Sequence, residues 1–224
     1  MKTTNIAIDG PAGAGKSSIA REISSELGFI YVDTGALYRT IALYAAKHNL
    51  TSEKELVDQL DEIEIELSFI GCIQRISLCG EDVTDDIRTP EISMGASKVS
   101  AIPEVREFLF DLQQKMAREH NVIMDGRDIG TVVLPDADLK IFLTASADER
   151  ASRRYLELKE KADCPTYEEI RDDIIKRDYN DSHRAVAPLR QADDAVLIDT
   201  TDMGFHEVCE EILDLIRDRL ELDD

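Results

Sequence analysis

The 224-residue sequence contains no tryptophan and few cysteines, prolines and aromatic residues. Its four cysteines show no CxxC spacing, so we expect neither a disulfide framework nor a cysteine-rich zinc site, and reduced thiols in the cytoplasm fit best. No uncharged run is longer than the eight residues Leu67–Gln74, which is far too short for a membrane-spanning helix. The N-terminus leads directly into an apolar strand, so we expect no secretory signal.

Basic residues are also scarce, because 26 lysines and arginines stand against 47 acidic residues and the net charge is −21. Such a negative field repels nucleic acid and anionic membranes, so neither is an expected partner. The arginines are nevertheless concentrated, since eight of the sixteen lie from Arg127 to Arg190. Arginine forms paired hydrogen bonds with phosphate, so this span is a candidate phosphate-binding region.

Short apolar runs alternate with amphipathic segments along most of the chain, a pattern typical of a parallel sheet with helices on both faces. The predicted strands are Thr3–Asp9, Phe29–Val32, Asn121–Met124, Lys140–Thr144 and Ala195–Ile198. The predicted helices are Lys16–Leu27, Thr34–His48 and Glu207–Leu220. The sequence therefore predicts an α/β fold.

One region between the second and third predicted strands departs from this alternation. The segments Ile63–Phe69, Gln74–Leu78 and Glu81–Val83, with a turn at Cys79-Gly80, predict a small antiparallel β insert. Helices are predicted on either side of it, and we expect these elements to form a separate lobe. Those helices are Glu53–Leu60 and Pro103–Glu119.

The segment Gly10–Ser17 matches the GxxxxGK[ST] pattern of a P-loop and lies between a predicted strand and a predicted helix. Glycines allow backbone N–H groups to converge on phosphate oxygens, and the following helix presents its positive end to the same anion. We expect Lys16 to reach the β- and γ-phosphates and the Ser17 hydroxyl to hold Mg²⁺. The nucleotide-binding residues so predicted are Gly10, Pro11, Ala12, Gly13, Ala14, Gly15, Lys16, Ser17 and Ser18.

Polar residues follow two further strands at the carboxyl edge of the predicted sheet, where α/β proteins bind ligands. Thr34 and Arg39 offer a hydroxyl and a guanidinium, although a helix cap and a surface charge would explain them as well. Asp125 is placed to act on Mg²⁺-bound water, Arg127 to grip a phosphate and Asp128 to accept hydrogen bonds from a base. The alternative for this segment is a polar turn containing an Arg–Asp ion pair.

The arginine-rich region 150–190 adds a third group of candidate phosphate ligands. Arg150, Arg153 and Arg154 fall on one face of a helix, and Arg177 and Arg184 follow. A solvated helix of mixed charge is the alternative. Cations that follow a P-loop suit a lid that closes over a transferring phosphoryl group and neutralises its growing charge.

Taken together, these motifs resemble those of the bacterial cytidylate kinases in the nucleoside monophosphate kinase superfamily, over nearly the whole chain. The P-loop is widespread, whereas DGRDIGTVV and RAVAPL are specific to that family. The matching segments are IDGPAGAGKSS (8–18), DTGALYR (33–39), ASKVSAIPEVRE (96–107), DGRDIGTVVLPDADLKIFLTAS (125–146) and RDYNDSHRAVAPL (177–189).

The resemblance implies transfer of the γ-phosphoryl group of ATP to CMP or dCMP, with Mg²⁺, by a monomeric cytoplasmic enzyme. It implies a single P-loop kinase domain over residues 1–224. Within it, residues 34–119 would form a monophosphate-binding lobe, residues 61–84 its β insert, and residues 150–190 a short arginine-rich lid.

The resemblance also implies roles for individual residues. The catalytic set is Lys16, Asp125, Arg127 and Arg154, and the CMP-binding set is Thr34, Arg39, Ser97, Arg106, Arg127, Asp128, Arg177, Asp181 and Arg184. In that set, Arg39 and Arg127 would hold the α-phosphate, and Asp181 and Arg184 would lie near the sugar. Thr34 replaces a serine of many relatives, and Ser182-His183 stands in a stretch that is often richer in arginine.

Two other functions remain open from the residues alone. One is a different P-loop small-molecule kinase, of the dephospho-coenzyme A or shikimate type, which the length and the cytosine-side residues disfavour. The other is a nucleotide-switch protein, which would need an NKxD segment that the sequence lacks.

Overall fold

The structure is a computed structural model and is described over residues 3–70, 73–160 and 164–220; Cys72 and the other residues outside these ranges are not described. The described strands are β1 (Asn5–Asp9), β2 (Ile30–Asp33), β3 (Ile65–Ile70), β4 (Ile73–Leu78), β5 (Glu81–Asp82), β6 (Val122–Gly126), β7 (Leu139–Thr144) and β8 (Val196–Asp199). The described α-helices are α1 (Lys16–Leu27), α2 (Thr34–Lys47), α3 (Glu53–Val57), α4 (Pro90–Val99), α5 (Pro103–Glu119), α6 (Ala147–Leu158), α7 (Tyr167–His183) and α8 (Phe205–Leu220). Shorter turns are 3₁₀ at Leu60–Glu62 and Asp86–Arg88 and π-helical at Ile129–Val133.

Five parallel strands form the main sheet in the order β2-β6-β1-β7-β8. From β1 the chain crosses to β2 on one side of the sheet, and from β6 it crosses to β7 on the other side. This reversal of direction leaves a crevice at the carboxyl ends of the strands, which is where α/β proteins bind ligands. Asp9 pairs in register with Gly126, and Asp33 with Asp125, so the ends of β1, β6 and β2 lie level. The predicted α/β fold is confirmed.

Each face of the main sheet is covered because its strands are apolar on both sides. On one face α1 and α8 pack through Ile23 and Ile212, which are fully buried. On the other face the cluster includes Met116 of α5 and Ile129 of the π-helical turn. The π-helical turn that follows β6 is therefore anchored in the core by its own apolar residues.

The β insert is a three-stranded antiparallel sheet in the order β3-β4-β5, as the alternation of residues predicts. Its β4–β5 turn has positive φ at both Cys79 (50°) and Gly80 (82°), the backbone of a tight hairpin. Residues of β4 pack with α2, α4 and α5 in a second hydrophobic core. Gln74 of β4 links this core to the main sheet by accepting a hydrogen bond from the Asp33 N–H at 2.9 Å.

Helix α4 was not anticipated from the sequence, because its glycine and serine content gives a weak helical pattern. It begins with Pro90 at its first turn and with Thr89 as a cap that accepts from the Ile92 N–H. A Cβ atom at Gly95 would lie 3.0 Å from Ala42 Cβ. The small residue therefore allows α4 to approach α2 closely.

Helices α6 and α7 occupy the region predicted as an arginine-rich lid. They pack on each other through Ala151, Ile170 and Ile174, which form a small separate cluster. Thr166 and Glu169 form a reciprocal capping box that fixes the start of α7. In the described ranges, none of the helices combines the length and apolar character needed to cross a membrane.

Candidate active site

The P-loop joins β1 to α1 and brings its backbone N–H groups to the carboxyl edge of the sheet. Gly10 has a φ of 149°, and a Cβ atom there would lie 1.9 Å from the Leu143 carbonyl oxygen on β7. Gly15, with φ 89°, ends the loop as the N-cap of α1. Only glycine fits the first of these positions, so the loop geometry explains the sequence motif.

Lys16 opens α1 and is only 5% exposed. Its Nζ donates to the Pro11 carbonyl oxygen at 2.7 Å, which folds the side chain back along the loop. Burial, and then the positive charge of Arg127, lowers the pKa of Lys16. Burial removes the water that would stabilise the charged ammonium group, and a phosphate in the loop would stabilise it instead. Phosphate binding and protonation of Lys16 would therefore favour each other.

Asp125, at the end of β6, is 4% exposed and lies directly beside the P-loop. Its carboxylate accepts hydrogen bonds from the Ser17 hydroxyl at 2.8 Å and from the Tyr31 hydroxyl at 3.0 Å. Burial, and then the negative charge of Asp33, raises the pKa of Asp125. A buried carboxylate with a raised pKa gains from a nearby cation.

The Ser17–Asp125 pair also fits the chemistry of a magnesium site. Within the described ranges, no group of three or more histidine, cysteine or acidic side chains could hold a metal. Magnesium in phosphate-transfer sites uses one or two protein oxygens, while phosphates and water complete its shell. A hydroxyl next to one buried carboxylate is therefore a suitable protein share of the site.

At the end of β2, the start of α2 presents Thr34 and Arg39 near Asp125. The Thr34 hydroxyl donates to the Asp125 carbonyl oxygen at 2.7 Å. Arg39 Nη2 donates to Asp33 Oδ2 at 2.8 Å, while Asp33 Oδ1 caps α2 by accepting from the Ala36 N–H at 2.9 Å. Arg39 Nε is buried and has no partner among the described residues, so this guanidinium retains donor capacity.

Arg127 follows β6 and points to α7. Its Nε donates to Asp181 Oδ2 at 2.8 Å, and its Nη1 to the Gly126 carbonyl oxygen at 3.3 Å. Arg177 lies on the same helix as Asp181, and burial, followed by the charge of Arg127, lowers the pKa of Arg177. Two guanidiniums and one carboxylate therefore lie close together here.

Asp128 lies between two arginines that come from opposite sides of the site. Its Oδ2 accepts from Arg106 Nη2 of α5, and its Oδ1 from Arg184 Nη2 at 3.1 Å. The Arg106 guanidinium also lies 5.6 Å from the centre of the Tyr38 ring. Ser97 is half-buried on α4, and its carbonyl oxygen accepts a hydrogen bond from the Ser100 hydroxyl. The Ser100 carbonyl oxygen in turn accepts from Arg106 Nη1 at 3.2 Å.

The three arginines of α6 have different surroundings, although the sequence places them on one face. Arg150 is 5% exposed and fully engaged, since it donates to the Ala12 carbonyl oxygen of the P-loop at 3.0 Å and pairs with Asp178 of α7 at 2.7 Å. Arg153 donates to the Thr200 carbonyl oxygen at 2.6 Å. Arg154 is exposed and pairs with Glu157. Arg150 therefore links α6 and α7 to the P-loop.

Comparisons with known proteins decide the family. The sequence profile described as cytidylate kinase matches residues 6–218. A cytidylate kinase of Caldicellulosiruptor bescii is 52% identical over 217 residues, covering 96% of both chains. A cytidylate kinase of Desulfitobacterium hafniense is 51% identical over 222 residues, covering 98% of this chain and 95% of its own length. The chain belongs to the cytidylate kinase family.

A solved structure is similar to this chain in fold. An uncharacterized protein from Eubacterium ventriosum superposes with a TM-score of 0.53 at 14% identity, over 97% of this chain and all of that chain. At such low identity, the likeness concerns the fold alone.

Two residues that matter to the geometry of the site, Tyr31 and Asp9, were missed in the sequence analysis, and so was one contact of Arg150. Tyr31 is hidden in an apolar strand, where a tyrosine is easily taken as core. Asp9 ends β1 and accepts hydrogen bonds from the Ile129 and Gly130 N–H groups at 2.8 and 2.7 Å. Arg150 was predicted as a lid arginine, but its engagement with the P-loop was not. A polar residue at the end of a buried strand was the available signal for Asp9.

Proposed function

We propose that this chain transfers the γ-phosphoryl group of ATP to CMP or dCMP, giving ADP and CDP or dCDP. The observation that carries the proposal is the convergence, beside one P-loop, of Asp128 with Arg106 and Arg184. A base and a phosphate need carboxylate and guanidinium partners of this kind. Membership of the cytidylate kinase family supports the same reaction.

On the donor side, the P-loop would hold the triphosphate through backbone N–H groups of residues 10–18. Lys16 would contact the β- and γ-phosphates, and Ser17 and Asp125 would hold Mg²⁺. When bound, Mg²⁺ would neutralise charge on the phosphate oxygens. Asp125 would orient the Ser17 hydroxyl, because it already accepts that proton in the described geometry.

On the acceptor side, Arg39 and Arg127 would bind the α-phosphate of CMP, next to the Thr34 hydroxyl. Arg39 would use guanidinium N–H groups other than those of the Nη2 that bonds Asp33, and Arg127 would use its Nη2, since it bonds through Nε and Nη1. The remaining residues proposed to face the cytosine or its surroundings are Ser97, Arg106, Asp128 and Arg177, and those proposed to face the sugar are Asp181 and Arg184.

No covalent intermediate is required, because the acceptor phosphate oxygen is already an anionic nucleophile. The obstacle is the repulsion between two phosphates, which grows as the site closes and water leaves. Lys16, Arg127 and the lid arginines would offset this repulsion and hold the reacting groups in line. Arg154 is our candidate for the lid arginine that contacts the transferred group, because Arg150 and Arg153 already bond backbone oxygens.

The proposed division of the chain follows its separate hydrophobic clusters. Residues 34–119 would form the monophosphate-binding lobe with its insert at 61–84, and residues 150–190 the lid, within one domain of residues 1–224. The core shared by α2, α4, α5 and β4 supports the first unit, and the α6–α7 cluster supports the second. We further propose that the protein is a cytoplasmic monomer, as the family resemblance and the cysteine pattern suggest, and that it has no nucleic-acid or membrane partner, as the negative net charge suggests.

A coupled assay of ADP formation tests the reaction. We expect ATP consumption only when CMP or dCMP is supplied, and not with shikimate, dephospho-coenzyme A or no acceptor. Arg127→Ala should lower kcat/KM for CMP at least ~100-fold, since it removes a charged phosphate ligand. Arg118→Ala, at an exposed position on α5, is the matched control. Turnover of shikimate or dephospho-coenzyme A instead of CMP, or ATP hydrolysis that needs no acceptor, would overturn the proposal.

A further inference from the structure

The π-helical turn Ile129–Val133 begins directly after Asp128, the proposed base-binding residue. The first N–H groups of any helical turn have no partner inside the turn and need an acceptor from elsewhere. Aspartate just before the turn usually provides it. Asp128 occupies that position, yet its side chain forms no cap.

The reason is that both carboxylate oxygens of Asp128 are already engaged. One accepts from Arg106 and the other from Arg184, which come from α5 and from the end of α7. A carboxylate held between two guanidiniums is not free to turn toward the backbone of its own turn. The start of the turn therefore needs a substitute cap.

Asp9 supplies that substitute cap from a different strand. Its Oδ1 accepts from the Ile129 N–H at 2.8 Å and its Oδ2 from the Gly130 N–H at 2.7 Å, across 120 residues of sequence. Asp9 is 4% exposed and ends β1, where it pairs in register with Gly126. The next residue in the chain is Gly10, the first residue of the P-loop. The end of β1 therefore both begins the P-loop and holds the turn that follows Asp128.

We propose that Asp9 is a positioning residue for phosphoryl transfer, which caps the turn after Asp128 and thereby keeps the Asp128 carboxylate available to Arg106, Arg184 and the acceptor base. The part of this proposal that concerns the acceptor rests on the proposed function. The capping itself rests only on the two hydrogen bonds and on the engaged carboxylate of Asp128.

Replacing Asp9 by asparagine tests whether the turn after Asp128 depends on the Asp9 carboxylate. The amide keeps one acceptor oxygen, while its NH₂ group faces an N–H donor, so at most one of the two bonds survives. The turn that begins after Asp128 then loses part of its anchor, so the backbone that carries the Asp128 carboxylate is held less firmly against Arg106 and Arg184. We expect KM for CMP to rise about tenfold, the effect of one lost hydrogen bond to a charged group, while KM for ATP changes less than about twofold.

Asp138→Asn is the matched control, because Asp138 Oδ2 also accepts a backbone N–H, from Asn5 at 2.9 Å, at the opposite end of β1. We expect its KM for CMP to equal that of the wild type. Hydrogen exchange gives a readout without catalysis, since the Ile129 and Gly130 amides should exchange faster in Asp9→Asn than in the control. If Asp9→Asn does not fold, Asp9→Ser removes the charge with a smaller side chain and carries the same expectations.

A double variant separates positioning from simple loss of stability. If Asp9 acts through Asp128, adding Asp9→Asn to Asp128→Asn should raise KM for CMP little further. A lower kcat at unchanged KM, equal increases in both KM values, or additive effects in the double variant would overturn the proposal. A wild type that does not phosphorylate CMP would instead refute the proposed function, and the exchange experiment would still test the cap.

Discussion

The Tyr31 hydroxyl offers a test of how the protein controls the ionisation of Asp125. Tyr31→Phe removes one oxygen atom and leaves the ring, so the Arg21 guanidinium that lies 5.5 Å from the ring centre keeps its contact. The only hydrogen bond lost from Asp125 is the one of 3.0 Å to Tyr31, and the bond from Ser17 remains.

The expected effect follows from the groups around Asp125. Burial and Asp33 raise the pKa of this carboxyl, whereas Lys16, Ser17 and Tyr31 lower it by favouring the ionised form. A hydrogen bond to an ionised group contributes about 1.5–3 kcal/mol, and a pKa changes by one for each ~1.4 kcal/mol. Losing Tyr31 therefore favours the protonated acid, and the acid limb of activity should move toward neutral pH by roughly one to two pH units.

The measurement is kcat/KM for MgATP across pH 5 to 8, because this quantity reports ionisations of the free enzyme and free substrate. ATP titrates in the same way with every variant, so the comparison between variants isolates the protein. Tyr44→Phe is the control, since the Tyr44 hydroxyl is also bonded to a side chain, Gln59 at 3.2 Å, but away from the site. An acid limb that stays in place in Tyr31→Phe, or moves equally in the control, would refute the role of Asp125 ionisation.

Three further expectations concern stability. Gly10→Ala should lower the free energy of unfolding by more than ~3 kcal/mol in urea titrations, because its Cβ would meet the Leu143 carbonyl oxygen at 1.9 Å; a loss below ~1 kcal/mol would contradict this. Asp128→Asn leaves two buried guanidiniums without a counter-charge and should cost ~3–5 kcal/mol, whereas an unchanged urea midpoint would contradict that pairing. Burial raises the pKa of Asp9 to about 6, so its stabilising contribution is complete below pH 4 and is lost as the pH rises through 6. Because burial also raises the pKa of Asp125, both proteins should lose stability over this pH range, and urea titrations should show a loss that is ~3 kcal/mol smaller in Asp9→Asn than in the wild type.

The sequence allowed the main sheet to be predicted because its strands are apolar, short and separated by helices with clear periodicity. The predicted helices Lys16–Leu27 and Pro103–Glu119 have the same bounds in the structure. Helix α4 was missed because its close approach to α2 selects small residues, and small polar residues weaken the helical pattern. Tertiary packing, rather than local propensity, forms this helix.

The site was predictable where one short segment carries the chemistry, as in the P-loop. The partners of each charged residue were not, because they come from distant segments. The sequence suggests that Arg150 faces a phosphate, yet the structure has it bonded to Ala12 and Asp178. The role of Asp9 depends on a turn 120 residues away and on the engagement of Asp128, and neither is visible in a local pattern.

Four of the 47 acidic residues gain a structural meaning from pairs with arginines at the site. Several guanidiniums at the site lie against carboxylates, and the pairs are Arg39–Asp33, Arg127–Asp181, Arg106–Asp128, Arg184–Asp128 and Arg150–Asp178. Arginines paired in this way are held in position without a ligand. Under the proposed function, a substrate phosphate would therefore meet charges that are already oriented and need little reorganisation. The remaining N–H groups of Arg150 bond the Ala145 and Ala12 carbonyl oxygens, whereas the other guanidiniums, Arg127 among them, have N–H groups that their carboxylates do not use. In a chain of net charge −21, these four carboxylates hold five arginines in place, and under the proposed function those arginines that keep free N–H groups would be positioned for the substrate phosphates before these arrive.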